Sequence, residues 1–362
     1  MTATNIEWAD RVWNPITGCS KVSQGCKFCY AEVMAKRTFG RLYPPVYIGP
    51  GCDEPADEWR ARRFTDVQTH ADRLDAPLRW RKPSRIFVNS MSDLFHEDVP
   101  DAFIDKVFAV MALAPMHTFL VLTKRPERMR VYLSDQRDLK VWNSAWNVCE
   151  WFPEAQQNTR HAVEAVARYR DPKHEERWPL PNVWLGVSVE DQATADARIP
   201  LLLQTPAAVR WVSAEPLLGP VDLSESMEGY ELGQQYLDAK ARGDVVEALR
   251  LIRHGEPGID WCVVGGESGP KARSCDVPWV RSVVEQCQSA SVPVFVKQLG
   301  RWPVAYRNEN EHGGRGWGRL FHDSHGQTPT GEWGLFTSDR KGAAMDDWPS
   351  DLRVREYPAV TS

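Results

Sequence analysis

Three of the eight cysteines lie close together, at Cys19, Cys26 and Cys29, with the spacing C-x6-C-x2-C. Two cysteines that are separated by two residues can bind one metal centre, because the short loop turns both sulfurs to one side. The third cysteine arrives over a loop that contains Gly18 and Gly25, and glycines permit tight backbone turns. Thiolates are soft ligands that suit iron–sulfur clusters or zinc. The pattern therefore predicts a metal centre on these three side chains.

A structural zinc site and an iron–sulfur cluster differ in the number of protein ligands that they need. A closed zinc site needs four, and no fourth ligand follows here at the usual short spacing. Cys52 or His70 could supply one only from a distance. A four-iron cluster on three cysteines leaves one iron without a protein ligand, where a substrate or cofactor can coordinate. The sequence therefore favours a [4Fe-4S] cluster, with zinc as the alternative.

The composition indicates a globular protein, with 42% hydrophobic and 26% charged residues. The first ten residues have neither the basic start nor the apolar run of a secretory signal. No stretch approaches the 18 apolar residues of a membrane helix, and clustered cysteines in a large chain favour metal chemistry over disulfides. The net charge of −5 gives no global attraction to nucleic acid or to an anionic membrane. We expect a cytoplasmic protein without a membrane partner.

Short apolar runs alternate with longer helical segments from about residue 85 onwards. Runs of this length suit strands that are buried on both faces. They lie at residues 85–90, 117–124, 182–190, 209–215, 259–267 and 292–298. Helices are predicted between them at residues 102–114, 191–204 and 279–289. With a first strand at residues 11–17, the alternation predicts an α/β fold, a partial, open β/α barrel of six or seven parallel strands.

Four segments depart from this alternation and are predicted to lie outside the barrel. Residues 40–64 are rich in glycine, proline and charge, and residues 134–180 carry tryptophans among mixed charges. Residues 224–258 resemble a polar helix. We expect these three segments to be insertions into a barrel of residues 1–300, and residues 301–362 to form an irregular extension that packs on it.

Each predicted strand ends in polar residues. The carboxyl ends of parallel strands share one rim, where ligands bind in β/α folds. Polar loops at strand ends are the simpler alternative. The rim candidates for ligand binding are Ser90, Asp93, Lys124, Arg125, Ser188, Glu190, Glu215, Gly265, Gly266, Glu267 and Lys297. The two glycines would let the backbone approach a ligand closely, although a tight turn explains them equally well.

The cysteine motif resembles the signature of the radical SAM superfamily. Its end, Cys26-Lys27-Phe28-Cys29, matches Cys-x-aromatic-Cys and follows the first strand, as in that superfamily. The usual signature has three residues between the first two cysteines, whereas this chain has six. Four later runs resemble a phage-associated branch that is distantly similar to spore photoproduct lyase: residues 90–95, 122–126, 186–190 and 264–269. The resemblance covers roughly residues 5–300 and part of the tail.

The resemblance implies a reaction. The open iron would bind the amino and carboxylate groups of S-adenosylmethionine. An electron donor such as flavodoxin or ferredoxin would reduce the cluster, and the sulfonium would be cleaved. The resulting 5′-deoxyadenosyl radical would remove a hydrogen atom from the substrate, with the cofactor carrying the chemistry and the protein orienting it.

The resemblance also implies roles for individual residues. Phe28 would pack near the adenine, Asp93 would take the amino group, and Ser90 would meet the ribose or the carboxylate. Lys124 or Arg125 would meet the carboxylate or a substrate phosphate. Glu190, Glu215 and Lys297 would bind hydroxyl groups. Cys275 could return a hydrogen atom to a product radical, although a buried thiol without that role is the alternative.

The sequence says little about the substrate. Distant likeness to a DNA-lesion repair enzyme suggests a nucleobase or a nucleotide, and a base in duplex DNA would have to be flipped out. Aromatic and basic residues in segment 134–180 could stack on bases and contact phosphates, but acidic residues nearly balance the charge. A peptide or a small molecule remains open. The alternative for the whole protein is a nucleic-acid-binding protein with a structural zinc or a vestigial metal loop.

Overall fold

The structure is a computed structural model, and it does not describe every residue. The described residues are 4, 6–42, 46–48, 58–134, 179–227, 258–306, 333–334, 339 and 341–359. The predicted insertions 134–180 and 224–258 lie for the most part outside these ranges, as do about half of the predicted insertion 40–64 and much of the predicted extension 301–362. Within the described ranges, no helix has both the length and the apolar character needed to cross a membrane.

Fourteen strands occur in the described residues. In chain order they are β1 (Arg11–Trp13), β2 (Ile16–Thr17), β3 (Val46–Ile48), β4 (Glu58–Arg60), β5 (Gln68–Thr69), β6 (Arg85–Val88), β7 (Thr118–Thr123), β8 (Val183–Val189), β9 (Val209–Ala214), β10 (Trp261–Gly265), β11 (Ser274–Asp276), β12 (Val294–Gln298), β13 (Trp302–Tyr306) and β14 (Trp333–Gly334). Seven of them form one parallel sheet in the order β1-β6-β7-β8-β9-β10-β12. This order confirms the predicted fold class, an open α/β barrel.

Every strand that was predicted after residue 85 is present within its predicted run. The first predicted strand, residues 11–17, is wrong as a single element. It is interrupted at Pro15, which has no N–H to donate to a sheet. β1 joins the parallel sheet beside β6, whereas β2 pairs antiparallel with β5.

The α-helices in the described residues are α1 (Tyr30–Leu42), α2 (Asp101–Leu113), α3 (Pro126–Ser134), α4 (Gln192–Leu203) and α5 (Val277–Ser289). The three predicted helices correspond to α2, α4 and α5. The side chains of Asp191 and Thr194 form a capping box that fixes the start of α4. Helix α5 buries a stripe that includes Val280, Val283 and Cys287, at the spacing of one helical face.

The chain divides into two compact units, residues 1–184 and 185–362. In the first unit, β1, β6 and β7 lie side by side with Trp13 opposite Val88 and Val88 opposite Val121. The indole of Trp13 is buried against the ring of Phe119, with centroids 5.8 Å apart. This packing aligns the carboxyl ends of three strands, where the cysteine motif begins.

In the second unit, β9, β10 and β12 lie side by side around large buried aromatic rings. Trp211 and Trp261 stack with their ring centroids 5.3 Å apart. A Cβ atom at Gly186 would lie 2.5 Å from the Trp211 indole, so the glycine makes room for the ring. These aromatic contacts bury large apolar surfaces and fix the strands that present the second set of polar ends.

The C-terminal segment, residues 341–359, packs along the last strand of the second unit. Val296 N–H donates to Val354 O, and Glu356 N–H donates to Val294 O, both at 2.9 Å. The segment therefore occupies backbone groups of β12, which is an end strand of the sheet. An uncovered end strand would offer these groups to other chains, so the segment protects this edge.

Candidate metal centre

The loop that carries the first cysteine is held by a glycine that no other residue can replace without strain. Gly18 has a φ of +95°, and a Cβ atom there would lie 2.6 Å from Asp66 O. Gly18 N–H donates to Met91 O, and Cys19 N–H donates to Phe64 O at 2.9 Å. This geometry confirms the tight turn expected at Gly18. Gly25 lies in a short 3-10 helix, Gln24–Cys26.

The three thiols are partly buried neighbours. Cys29 immediately precedes α1, and its sulfur accepts hydrogen bonds from the Ala31 and Glu32 N–H groups at the start of that helix. Cys26 is close enough to both Cys19 and Cys29 to interact electrostatically with each. Cys26 is therefore the member that links the other two.

The sulfurs are not arranged as a finished metal site. Among the residues that the structure describes, no three His, Cys, Asp or Glu side chains lie in positions that could hold a metal ion together. Burial raises the pKa of Cys19 to about 12, with a further contribution from the Asp93 carboxylate. Burial also raises the pKa of Cys29. Metal binding here must displace the thiol protons and bring the three sulfurs closer together. The metal centre on these cysteines therefore stays a prediction.

A buried guanidinium lies beside the first cysteine. Arg125 Nη1 is 3.6 Å from Cys19 Sγ and 3.3 Å from Asp93 Oδ2. Nε donates to Glu97 Oε2 at 2.8 Å, and Nη2 donates to Ser20 Oγ at 2.7 Å. Burial acts to lower the pKa of Arg125, but the anions around it, above all Asp93, raise it overall. The arginine is therefore a fixed positive charge at the cysteine loop.

A histidine that sequence reasoning missed fixes the same loop. His96 is buried, and its Nε2 lies 2.8 Å from Ser20 Oγ, while Asp98 N–H donates to Nδ1 at 3.1 Å. Burial lowers the pKa of His96, with a further contribution from the Arg125 charge, so the ring is neutral near pH 7. Its position three residues after Asp93 was the one sequence signal.

Asp93 and Lys124 join the cysteines in the first unit. The buried Asp93 carboxylate accepts from Thr123 Oγ1 at 2.8 Å, from Lys124 N–H at 3.0 Å and from Phe95 N–H at 3.0 Å, besides Arg125. The carboxylate thus fixes the backbone after β7. The Lys124 ammonium is near enough to Cys29 to lower the pKa of its thiol, against the larger effect of burial. The predicted amino-group role of Asp93 stays a prediction.

Ser90 ties the end of β6 to the residues after β1. Its Oγ and the side-chain amide of Asn14 are hydrogen-bonded, and its carbonyl accepts from the Tyr30 hydroxyl at 2.6 Å. Phe28 is partly buried, and the Lys27 ammonium lies 5.5 Å from its ring centroid. These contacts place the predicted residues Phe28, Ser90, Asp93 and Lys124 around the cysteine motif.

In the second unit, the acid after β8 has an internal partner. The buried Glu190 carboxylate pairs with Arg198 Nη1 at 3.1 Å, and the same nitrogen donates to Ser188 O at 2.6 Å. Ser188 Oγ donates to Glu215 O at 3.0 Å. The Arg198 contacts hold the middle of α4 to the end of β8. The predicted ligand-binding roles of Ser188 and Glu190 stay predictions.

Glu215 and Lys297 form a partly exposed ion pair at the ends of β9 and β12. Lys297 Nζ lies 2.6 Å from Glu215 Oε1, and Gln298 Nε2 donates to the same oxygen at 3.3 Å. About one fifth or less of each charged side chain is exposed. At these strand ends the pair therefore places a hydrogen-bond donor, the Lys297 ammonium, beside an acceptor, the Glu215 carboxylate.

The Gly-Gly-Glu triplet at the end of β10 is packed by the chain itself. A Cβ atom at Gly265 would lie 2.9 Å from Gln298 O, and one at Gly266 would lie 2.5 Å from Leu299 O. What the glycines admit on that side is the backbone at the end of β12. The predicted ligand-binding role of the two glycines stays a prediction. The Glu267 carboxylate accepts hydrogen bonds from both Nε and Nη2 of Arg273, each at 2.9 Å.

Cys275 lies on β11 in the same unit, next to Gly266. It is 1% exposed, and burial raises the pKa of its thiol to about 12. The thiol therefore keeps its proton at neutral pH. A protonated thiol suits a hydrogen-atom donor, but a buried structural cysteine has the same properties, so the predicted catalytic role stays a prediction.

The zinc alternative has one described candidate for a fourth ligand. His70 Nε2 is 2.7 Å from Thr17 Oγ1, and burial lowers the pKa of the ring to about 4. The other candidate, Cys52, lies outside the described residues. Within the described part of the chain, His70 forms no metal-binding group with the cysteines.

A family model matches residues 3–326 of the chain, and its description is "Protein of unknown function (DUF5131)". No curated protein and no solved structure matches the chain. The family description specifies neither a reaction nor a ligand. The function has to be argued from the residues and their geometry.

Proposed function

Because the chain belongs to the DUF5131 family, whose description assigns no activity, we propose its function from the cysteine site: a radical enzyme that reductively cleaves S-adenosylmethionine. The proposal places a [4Fe-4S] cluster on Cys19, Cys26 and Cys29. The single observation that carries it is the grouping of three partly buried thiols at the carboxyl ends of parallel strands, beside two cationic side chains. Lys124 and Arg125 are those cations.

The donor set fits such a cluster better than it fits zinc. Three thiolates suffice for a four-iron cluster with one open iron, whereas a closed zinc site requires four ligands. Three thiolates also bring concentrated negative charge into a partly buried site. Lys124 lies near Cys29 and Arg125 lies near Cys19, so each cation offsets part of that charge.

A reduced [4Fe-4S] cluster with a bound sulfonium supplies one electron, which breaks a carbon–sulfur bond and yields a radical. The remaining roles belong to the chain. The Lys124 ammonium would orient the carboxylate of S-adenosylmethionine. The Lys124 backbone N–H donates to the Asp93 carboxylate, and this hydrogen bond holds the Lys124 backbone in place. Phe28 would pack against the adenine, and Ser90 would bind the ribose.

The second unit contributes separate proposals. The Glu215–Lys297 pair, with its donor and acceptor partly exposed, would bind hydroxyl groups. Cys275 would supply a hydrogen atom to a product radical, for which its retained proton is a requirement. A nucleobase or nucleotide is the proposed substrate class. A cytoplasmic flavodoxin or ferredoxin is the proposed electron donor, with the protein itself in the cytoplasm.

The test is cleavage of S-adenosylmethionine by protein that has been reconstituted with iron and sulfide without oxygen. With dithionite as the reductant, the wild-type chain is expected to release 5′-deoxyadenosine, measured by mass spectrometry. Cys26→Ala should abolish the release, because a cluster on two cysteines is lost. Cys262→Ala removes a buried thiol outside the motif and serves as the matched control, with the release retained. Equal amounts of 5′-deoxyadenosine from the wild type and from Cys26→Ala would refute the proposal.

A further inference from the structure

We propose that Arg125 is a positioning residue that sets the electron affinity of the metal centre through Cys19. This inference rests on the proposed function and names a determinant that the cysteine motif does not contain. Arg125 lies 106 residues beyond Cys19 in the chain, yet its Nη1 is 3.6 Å from Cys19 Sγ. The contact is an N–H···S hydrogen bond from a charged donor.

The guanidinium is held in one orientation by four other contacts. It is 9% exposed, and its donors reach Asp93 Oδ2, Glu97 Oε2, Ser20 Oγ and Ser20 O. Because the planar guanidinium donates hydrogen bonds from all three of its nitrogens, it cannot rotate away from Cys19 Sγ without losing these bonds. The structure therefore presents a preorganised positive charge to one of the three thiols.

The charge balance around Cys19 requires this cation. The Asp93 carboxylate is buried and close enough to Cys19 to raise the pKa of its thiol. If Cys19 becomes a thiolate ligand, two buried anions lie side by side, and the single positive charge of Arg125 offsets part of their combined charge. A ligand sulfur that accepts a hydrogen bond from a cation donates less electron density to its iron.

Hydrogen bonds to cluster sulfurs and nearby positive charge stabilise the more negative, reduced state, so they raise the reduction potential. Arg125 therefore makes the cluster easier to reduce. Glu97 acts in the opposite direction, because its carboxylate takes the Nε donor and offsets the arginine charge. The Glu97 side chain is 62% exposed, so its effect is smaller through screening by solvent.

The experiment is a redox titration of the reconstituted cluster, followed by electron paramagnetic resonance without oxygen. Arg125→Gln should shift the midpoint potential to more negative values, and Arg125→Lys, which keeps the charge but loses the fork, should shift it less. Glu97→Gln should shift it to more positive values. Arg130→Gln, which removes an arginine paired with Glu127 on the same helix, is the matched control with no shift.

The outcomes separate the inference from the proposed function. A wild-type chain that binds no cluster removes the proposed function and the inference with it. A wild-type cluster whose potential is unchanged in Arg125→Lys and in Glu97→Gln overturns the inference alone. If Arg125→Gln fails to fold, because the buried Asp93 carboxylate loses its arginine partner, the other two variants still decide. Midpoint-potential shifts of opposite sign in Arg125→Lys and Glu97→Gln support the inference.

Discussion

At the scale of single residues, the types of the polar strand ends were predictable, but their partners were not. Glu190 and Glu267 were placed correctly at strand ends, since polar residues follow the apolar runs. Glu190 pairs with Arg198, eight residues later, and Glu267 pairs with Arg273, six residues later. Those pairings depend on how the chain turns after the strand. A buried carboxylate requires such a partner, and the sequence alone does not say which one is in reach.

The carboxyl group of Asp260 gives a prediction for the dependence of stability on pH. Burial raises its pKa from 3.8 to about 6, against the effect of the Arg210 N–H group that it accepts from at 2.7 Å. The folded chain binds this proton more tightly than the unfolded chain does. The contribution to stability is therefore complete below pH 3.8 and is lost as the pH rises through 6.

Asp260→Asn keeps the acceptor and removes the charge. Relative to the wild type, the variant should gain on the order of 2–3 kcal/mol of unfolding free energy between pH 4 and pH 7. Urea unfolding at the two pH values measures this difference. Asp346→Asn, at an exposed position, should show no comparable gain. A constant difference between variant and wild type across the range would contradict the prediction.

At the scale of elements, the sheet strands and the helices between them were predictable from hydrophobic periodicity, because burial on both faces or on one face leaves that pattern. Short elements such as β2 and β5 have two residues each and no such pattern. Their pairing depends on the turn at Gly18 and on loops that return from a distance. The cysteine motif indicated the importance of Gly18, whereas the pairing of β2 with β5 next to it left no signal in the sequence.

Gly18→Ala tests the turn before the first cysteine. The new Cβ atom would meet Asp66 O and Phe64 O at less than 3.0 Å, in a backbone conformation that non-glycine residues rarely adopt. We expect a loss of about 2 kcal/mol or more in unfolding free energy and a lower iron content after reconstitution.

The matched control for the turn is Gly269→Ala. Gly269 also has a positive φ, +114°, but no atom lies within 4 Å of a Cβ there. The control shares the backbone strain without the collision, and it lies in the other unit. Its loss of stability should be smaller, with the iron content unchanged. Equal iron loss in the two variants would show that the turn does not shape the cysteine loop.

At the scale of the whole molecule, the alternation of strands and helices predicted an open α/β barrel, and the strand order confirms it. The way in which residues 341–359 pack along β12 was not predictable in detail. The segment pairs antiparallel with β12 at Phe295 and Arg355 through a few backbone hydrogen bonds, and Tyr357 adds aromatic contacts, but the segment has no apolar alternation of its own. Its conformation follows from the edge that it covers.

Trp348 is the anchor of that segment. Its ring is 2% exposed, Nε1 donates to Gly342 O at 3.0 Å, and the Arg355 guanidinium lies 5.6 Å from the ring centroid. Trp348→Ala should cost about 3–5 kcal/mol, because it leaves a large cavity beneath the segment. Denaturant unfolding measures the loss. Met116→Ala, at an exposed position, should stay within about 0.5 kcal/mol of the wild type, and a similar value for Trp348→Ala would contradict the anchoring role.

The most direct test of the central claim is the metal content of protein that is purified without oxygen. We expect iron and acid-labile sulfide in equal amounts, with the Mössbauer spectrum of a [4Fe-4S] cluster. The signal should disappear in a variant that lacks Cys19, Cys26 and Cys29. One tightly bound zinc per chain, without iron and sulfide, would contradict the account.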